Sequence, residues 1–296
     1  MLEFSVIIPV VGSLSSLAEC LTAICNQKCN FDYEIIVVNR TGKDSSECVR
    51  KNFPRVKLIS LDSSCGIPQM RFAAISQSGG KYVAVTEDHC IVPTDWLAEM
   101  YGAHLSGFEV VGGAVENKSC QRLTDWAVFL CEYSSFMPQI TDGETDFVTG
   151  NNTSYLRSAL KQIDQKLLEN YWEYFIHAEL KRRGAKFFSL SSLIVNHKKR
   201  FGFIYYLKQR FYYSRSFAAM RSNQHNSFKN LLFLAYIPVL PFHQIAKIYL
   251  NVQRKKRNFK EFFLSLPLIF VFMLSYALGE AVGCLFGEEN SLSKVE

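Results

Sequence analysis

The stretch Tyr82-Val-Ala-Val-Thr-Glu-Asp-His-Cys90 leads from a short apolar strand directly into two acids and a histidine. Helical spacing occurs before it, at 14–27 and 67–77. Three similar strand-like runs come earlier in the chain: Phe4-Ser-Val-Ile-Ile-Pro-Val10, Glu34-Ile-Ile-Val-Val38 and Val56-Lys-Leu-Ile-Ser-Leu61. Short β-branched strands that alternate with helices predict an α/β fold with a Rossmann-like, mostly parallel sheet and helices on both faces. Because ligands bind beyond the carboxyl ends of such strands, the residues after each strand are the first candidates for a site.

The charges are distributed unevenly along the chain. The net charge is +6, yet the 81 residues from Leu180 to Lys260 contain 18 Lys and Arg and no Asp or Glu. The other residues therefore carry a net charge of −12. A stretch of this kind predicts an anionic partner. Apolar segments inside and just after it favour a membrane lipid surface over nucleic acid.

Two apolar segments lie in the last part of the chain. The first, at 230–246, contains Pro238 and Pro241 and is predicted to be re-entrant or interfacial. The second, at 262–286, is long enough to span a bilayer, which needs about 20 residues. The basic residues Arg254–Arg257 between them predict that this loop stays on the cytoplasmic side. The alternative is a pair of buried helices in a soluble protein.

Small residues recur every fourth position in the second apolar segment and just after it: Ser275, Gly279, Gly283 and Gly287. Such a stripe lets two helices pack closely in lipid. It therefore predicts a homo-oligomer formed through the last helix.

The order and spacing of the motifs over about residues 3–220 resemble the family 2 glycosyltransferases. Besides the strands at 4–10, 33–39 and 80–89, the matching residues are Gly66, Arg71, Pro93, Trp96 and Leu97. The resemblance implies a GT-A fold, inverting chemistry, nucleotide-sugar donors and a divalent cation, Mn or Mg. It implies a GT-A catalytic domain at 1–225, with a nucleotide-binding part at about 1–115 and an acceptor part at about 116–225. A membrane-associated helical region is expected at 226–296.

The acidic strand end is the candidate metal site. From position alone, Glu87, Asp88 and His89 either bind a divalent cation or cap local backbone amides. The resemblance implies a DxD-type motif, in which Glu87 and Asp88 bind the donor and Asp88 and His89 hold the metal. His197, just after a strand at 192–195, is expected as a third ligand. The alternative is a structural histidine.

The resemblance also implies a nucleotide pocket at the ends of the first strands. Its expected members are Pro9, Val10, Val11, Asn39, Gly66 and Arg71. Asn39 stands where the family carries an acid, and its amide can pair with a base edge through a donor and an acceptor. Arg71 is expected to face the donor, whereas the alternative is an arginine on a helix surface.

Trp172-Glu173 precedes Gly184 by the spacing that the family uses for its acidic pair. The resemblance therefore implies that Glu173 is the general base. The other readings are a solvated helix Glu173, or a base at Glu179, Asp146 or Asp164.

The segment Thr149–Arg157 resembles the family's acceptor segment, with Asn152 and Arg157 as acceptor-binding residues. The alternative is an Asn-rich turn with a helix cap. The run Gln209–Tyr213 matches the signature of processive members incompletely, which predicts a non-processive enzyme.

These expectations combine into a membrane-attached inverting glycosyltransferase with its catalytic domain on the cytoplasmic face. It would move a single sugar from a nucleotide-diphosphate-sugar to a glycan or lipid-linked acceptor, as in polysaccharide or glycolipid biosynthesis. The main alternative is a non-catalytic nucleotide-sugar-binding or scaffold protein of the same fold, because Asn39, Phe72 and Trp172 depart from the family pattern. A membrane-surface or nucleic-acid binder that uses only the basic stretch is a third reading, and it leaves the acidic strand end unexplained.

Overall fold

The structure, a computed structural model, describes residues 2–224 and 227–295 of the chain. Met1–Glu116 and Pro138–Lys198 form one unit, which we call the sheet unit. Asn117–Met137 and Lys199–Glu296 form a second, which we call the helical unit.

One mixed sheet organises the sheet unit and confirms the predicted α/β class. Its strands are β1 (Leu2–Val10), β2 (Asp32–Asn39), β3 (Lys57–Ser60), β4 (Tyr82–Val85), β5 (Cys90–Ile91), β6 (Val110–Asn117), β7 (Gly143–Glu144), β8 (Thr153–Leu156) and β9 (Phe187–His197). Their order is β3-β2-β1-β4-β8-β6-β9-β5, and β7 pairs with β9. The first four strands are parallel, as predicted. The sequence reading missed that β8 enters antiparallel between β4 and β6.

Helices cover both faces of this sheet. The α-helices of the described residues, in both units, are α1 (Leu14–Cys25), α2 (Lys43–Asn52), α3 (Ile67–Gln77), α4 (Trp96–Leu105), α5 (Leu123–Tyr133), α6 (Arg157–Leu160), α7 (Gln165–Asn170), α8 (Glu173–Arg182), α9 (Phe203–Gln224), α10 (Ser227–Tyr236), α11 (Leu240–Arg254) and α12 (Phe259–Phe286). The side chains of β1 alternate, so that Phe4, Val6 and Ile8 pack on one face and Ile7 on the other. Successive side chains of a strand point to opposite faces, so a strand that is buried on both faces has apolar residues at consecutive positions.

One predicted helix is divided in two. Helical spacing at 158–168 predicts a single helix, but α6 ends at Leu160 and α7 begins at Gln165. The side chain of Asp164 accepts hydrogen bonds from the backbone N–H groups of Lys166 and Leu167. This N-cap restarts the helix, which is the usual role of an aspartate at that position.

In the helical unit, α12 packs against α9 through its small residues. Ser275 Oγ donates to the carbonyl oxygen of Leu207 at 2.8 Å. A Cβ atom at Gly279 or Gly283 would overlap the α9 backbone, because these glycines lie against the carbonyl oxygens of Phe211 and Arg215. The small-residue stripe is therefore used within the chain. A homo-oligomer through the same stripe stays a prediction, and it would require α9 to give way.

The helical unit also holds the apolar segments. Among the described residues, α12 is the single helix that is by itself long and apolar enough to cross a membrane. The pair α10 and α11 passes the same test together but is bent by 73°. Length and composition are weak indications, since buried helices of soluble proteins have them too, and 44% of the apolar window of α12 is buried.

Candidate functional site

Asp88 ties the end of β4 to the end of β1. Its side chain is fully buried. Oδ2 accepts hydrogen bonds from the backbone N–H groups of Val11 at 2.8 Å and Gly12 at 2.6 Å. Oδ1 lies 2.7 Å from His89 Nδ1. Both oxygens thus hold neighbouring groups in place, and the backbone of Val11 is fixed beside the acidic strand end. A contact of Val11 with a nucleotide stays a prediction.

The pairing of β5 with β9 brings the second histidine into the site. Cys90 lies opposite His197 in this register. His89 Nε2 is therefore 3.0 Å from His197 Nε2, and it is 3.2 Å from Glu87 Oε2. One ligand atom from each of Glu87, His89 and His197 lies within 4.8 Å of the others. We call these three residues the ligand cluster.

The ligand cluster has the chemistry of a metal site. Because Asp88 Oδ1 can accept the Nδ1 proton of His89, Nε2 is the nitrogen that faces Glu87 and His197, and it can bind a metal once its own proton is lost. A carboxylate with two imidazoles suits a divalent transition ion. Sequence reasoning named Asp88 as a ligand, but the structure puts Glu87 in the cluster and gives Asp88 the supporting position behind His89.

Glu87 is held in its ionised form. Burial raises the pKa of this carboxyl, but the hydrogen bond with His89 and the charges of His89, His197 and Arg71 lower the pKa more strongly. Asn151 Nδ2 also donates to Glu87 Oε2 at 3.3 Å. An ionised carboxylate is the form that binds metal.

Arg71 lies between the ligand cluster and Glu173. Its Nη1 donates to Glu173 Oε2 at 2.8 Å, and its Nη2 is 3.9 Å from Glu87 Oε1. The side chain of Arg71 is 12% exposed, so it is not an arginine on a helix surface. Burial lowers the pKa of Arg71, but the charges of Glu173 and Glu87 raise it further, so the guanidinium stays charged.

Glu173 is the first residue of α8 and is partly open to solvent, with 24% of its side chain exposed. The alternative bases are engaged elsewhere. Hydrogen bonds from Arg182 and Arg183 lower the pKa of Glu179 to about 2. Asp146 is exposed and pairs with Lys181, and Asp164 caps α7. Of these four acids, Glu173 is the one that the structure joins to Arg71.

Gly150 makes room for the Glu173 carboxylate. A Cβ atom at Gly150 would lie 2.7 Å from Glu173 Cδ. We expect Gly150→Ala to push this carboxylate away from Arg71, and a displacement of about 1 Å at a reacting group can cost about 10²-fold in rate. The fold should survive, because the crowded atoms end a flexible side chain. The measurement is turnover together with thermal unfolding.

Gly102→Ala is the matched control for Gly150→Ala, since no atom lies within 4 Å of the added Cβ. It should leave turnover unchanged. Full turnover in Gly150→Ala would show that the position of the Glu173 carboxylate does not matter.

Asn39 and Gly66 shape the loops around the expected nucleotide pocket. Asn39 Nδ2 donates to Gly42 O and Ser46 Oγ, while its Oδ1 accepts from the backbone and the hydroxyl of Thr41. Gly66 N–H donates to Gln69 Oε1 and starts α3. A base contact through the Asn39 amide stays a prediction, and it would have to replace these bonds. Pro9 and Val10, the other expected members, are buried at the end of β1.

The two residues expected at the acceptor are not brought to the ligand cluster. Asn152 is fully buried, accepts a hydrogen bond from Trp96 Nε1 and donates to Ala114 O and Leu193 O. Because β8 runs antiparallel to β4, Thr153 lies beside Val85 and Leu156 beside Tyr82. Arg157, which follows Leu156, is therefore at the opposite end of β4.

Asn151 was missed by the sequence reasoning. It precedes β8 and reaches Glu87, as described above. Asn151 could have been found in the sequence because it is adjacent to Asn152, which was the residue expected at the acceptor. Trp172, the N-cap residue of α8, is buried.

The family model for "Glycosyl transferase family 2" matches residues 5–164, which is more than half of the chain. No curated protein was found to match the sequence. Solved structures share the fold. The mannosyltransferase PcManGT from Pyrobaculum calidifontis, in complex with GDP-Man and Mn²⁺, is 16% identical with a TM-score of 0.61, over 97% of this chain and 88% of that one.

S. aureus TarS, residues 1–349, is 15% identical with a TM-score of 0.55, over 95% of this chain and 91% of that one. The same protein in complex with UDP-GlcNAc has a TM-score of 0.53 at 15% identity, with the same coverage. The matched region, 5–164, carries the parallel strands, the acidic strand end and Arg71, and α8 and β9 complete the site beyond it. On the family match, this chain belongs to glycosyl transferase family 2.

Proposed function

We propose that the chain is a metal-dependent, inverting glycosyltransferase that moves one sugar from a nucleotide-diphosphate-sugar to an acceptor hydroxyl. One observation carries this proposal. Arg71 joins a cluster of metal-ligand type to a carboxylate that is partly open to solvent. The ligand cluster and Arg71 can bind the diphosphate of a donor, and Glu173 can act as the base for an acceptor hydroxyl.

Glu87, His89 and His197 would hold the cation. Two imidazoles favour Mn over Mg, because Mg prefers an all-oxygen shell. When bound, such an ion stabilises the negative charge of a leaving diphosphate. Asp88 supports the site by fixing the His89 ring and its tautomer.

Glu173 would accept the proton of the acceptor hydroxyl. Arg71 holds this carboxylate at 2.8 Å, and the same guanidinium is a natural partner for a donor phosphate. We expect the diphosphate to draw Arg71 away from Glu173, which then becomes free to act as a base. Attack by the acceptor opposite the leaving group inverts the anomeric configuration in a single displacement.

The acceptor is proposed to be a glycan or a lipid-linked saccharide at the cytoplasmic face of a membrane. The apolar helices α10 to α12 and the basic stretch that contains α10 and α11 support this placement. In this proposal residues 1–225 form the catalytic domain and 226–296 the membrane-associated region.

A thermal-shift panel of nucleotide-diphosphate-sugars with Mn²⁺ tests donor binding. GDP-Man and UDP-GlcNAc belong in it, because proteins of this fold were solved with them. A cognate donor at 100 times its Kd should stabilise the protein by about 2.7 kcal/mol. The shift should vanish with EDTA. Equal melting temperatures for all donors, with and without Mn²⁺, would contradict the proposal.

A further inference from the structure

We infer that the helical unit lies in the plane of an anionic bilayer surface, with α12 immersed along one side and not crossing the membrane. The inference rests on the membrane attachment in the proposed function but not on its chemistry. It concerns how the chain meets the lipid.

From Phe263 onward, one side of α12 is exposed and apolar. We call it the apolar stripe; its residues and exposed fractions are Phe263 57%, Leu264 53%, Val271 37%, Leu274 40%, Leu278 62%, Leu285 59% and Phe286 71%. Their spacing of three, four and seven places them along one side of the helix. At about 1.5 Å per residue the stripe is about 35 Å long. A soluble protein rarely leaves an apolar surface of this size uncovered.

The opposite side of α12 is packed against α9. The rings of Phe203 and Phe272 are 5.5 Å apart, and Ser275, Gly279 and Gly283 contact the α9 backbone. The second half of α12 therefore has α9 beside it along its length. If this half of α12 entered the bilayer core, α9 would have to enter it too.

α9 is too highly charged to lie in the hydrocarbon core of a bilayer. It carries four cations within its length: Lys208, Arg210, Arg215 and Arg221. Arg221 makes a bidentate pair with Glu280 of α12, which is 1% exposed. Moving this charged helix into the bilayer core would be costly. An α12 that lies in the interface keeps α9 on the aqueous side and still buries the apolar stripe.

The bent pair α10 and α11 extends the same surface. Phe228, Leu231 and Leu232 of α10 are each more than half exposed, as are Val239 at the bend and Phe242 of α11. The ring of Phe242 lies 5.8 Å from that of Phe270, a neighbour of the stripe on α12. Arg221 lies 3.5 Å over the ring of Phe233, which ties α10 to the buried ion pair. The axes of α10 and α11 are bent by 73° at the break between them, so the two helices present apolar side chains but do not form one straight span.

The charges beside this surface select an anionic lipid. Lys247, Arg254, Lys256 and Lys260 are exposed on α11, on the connection to α12 and at the start of α12. No carboxylate occurs between Leu180 and Lys260, and Glu261 directly after Lys260 is the nearest one along the chain, so the cations are in excess here. An apolar side flanked by lysine and arginine is the pattern of helices that lie on anionic membranes.

Vesicle flotation tests the surface. The full chain, added to preformed vesicles, should float with phosphatidylcholine vesicles that contain 30% phosphatidylglycerol, as is typical of basic amphipathic helices. It should bind pure phosphatidylcholine at least about tenfold more weakly, and 0.5 M salt should weaken its binding to the anionic vesicles. The double variant Leu274→Glu/Leu278→Glu should lose at least about tenfold in binding with an unchanged circular dichroism spectrum. Leu105→Glu is the control, because Leu105 of the sheet unit is as exposed as Leu278, and this variant should bind as the wild type does.

Protease accessibility of the C-terminus separates the two membrane modes. On vesicles with bound protein, a C-terminal epitope should be cleaved by external protease without detergent. Protection of the epitope would mean that α12 crosses, which overturns this inference and leaves membrane attachment standing. Absence of flotation with any vesicle would overturn both. A dimer in solution that Leu274→Glu/Leu278→Glu dissociates, with no flotation, would mean that the stripe is an interface between two copies.

Discussion

Glu173→Gln should lower kcat by about 10²–10⁴-fold while donor affinity stays nearly unchanged, as expected for loss of a positioned base. Glutamine keeps the size of the side chain, and its amide oxygen can still accept the hydrogen bond from Arg71. What it loses is basicity. The measurement is steady-state turnover, together with donor binding by calorimetry.

Glu179→Gln is the matched control for Glu173→Gln. Glu179 lies six residues further along the same helix and is held on the surface by Arg182 and Arg183. Its replacement should be mild. If Glu179→Gln abolished turnover and Glu173→Gln did not, the assignment of the base would be wrong.

His89→Ala should lower kcat/KM by about 10²-fold or more, which is roughly 2.7 kcal/mol. His197→Ala should have a similar effect, because both histidines belong to the ligand cluster and their Nε2 atoms are 3.0 Å apart. Chelation of the wild type should reproduce the loss. His243→Ala, an exposed histidine of the helical unit, is the control.

Asp88→Asn distinguishes a supporting residue from a metal ligand. An amide has a single acceptor oxygen and cannot accept from Val11, Gly12 and His89 as the carboxylate does. Loss of such support typically lowers metal affinity 10–100-fold, so excess Mn²⁺ should restore activity. Excess Mn²⁺ should not restore His89→Ala. If neither variant responds to Mn²⁺, Asp88 and His89 share one role and the ligand cluster is misassigned.

The four parallel strands were predictable because each is a short run of apolar, largely β-branched residues. The bounds of α3 are the predicted ones, and β1 and β2 differ from the prediction by one to two residues at their ends. α2 was missed because its sequence, KDSSECVRKN, has almost no apolar side chains to mark a buried face. β8 was missed because four residues after two asparagines look like a turn until the neighbouring strands are known.

The sequence places Glu87, Asp88 and His89 directly after a strand, but it does not separate the contacts that each of them makes. Glu87 and Asp88 are adjacent acids in one loop, and spacing does not say which of them faces His197. Asp88 is turned away from His197 because it accepts hydrogen bonds from the backbone N–H groups of Val11 and Gly12, which are 77 and 76 residues away in the sequence. The contact of Arg71 with Glu173 spans 102 residues, so it emerges only when α3 and α8 meet in the fold.

Sugar transfer with inversion is tested by proton NMR of the products that the wild-type protein forms with Mn²⁺, the donor that stabilises it and a candidate acceptor, recorded after the Mn²⁺ is removed. We expect that the nucleoside diphosphate is released, that the sugar appears with the opposite anomeric configuration, and that Glu173→Gln suppresses both signals. Binding of the donor without any release would make the chain a nucleotide-sugar-binding protein, and a product with the donor's own configuration would contradict the single displacement.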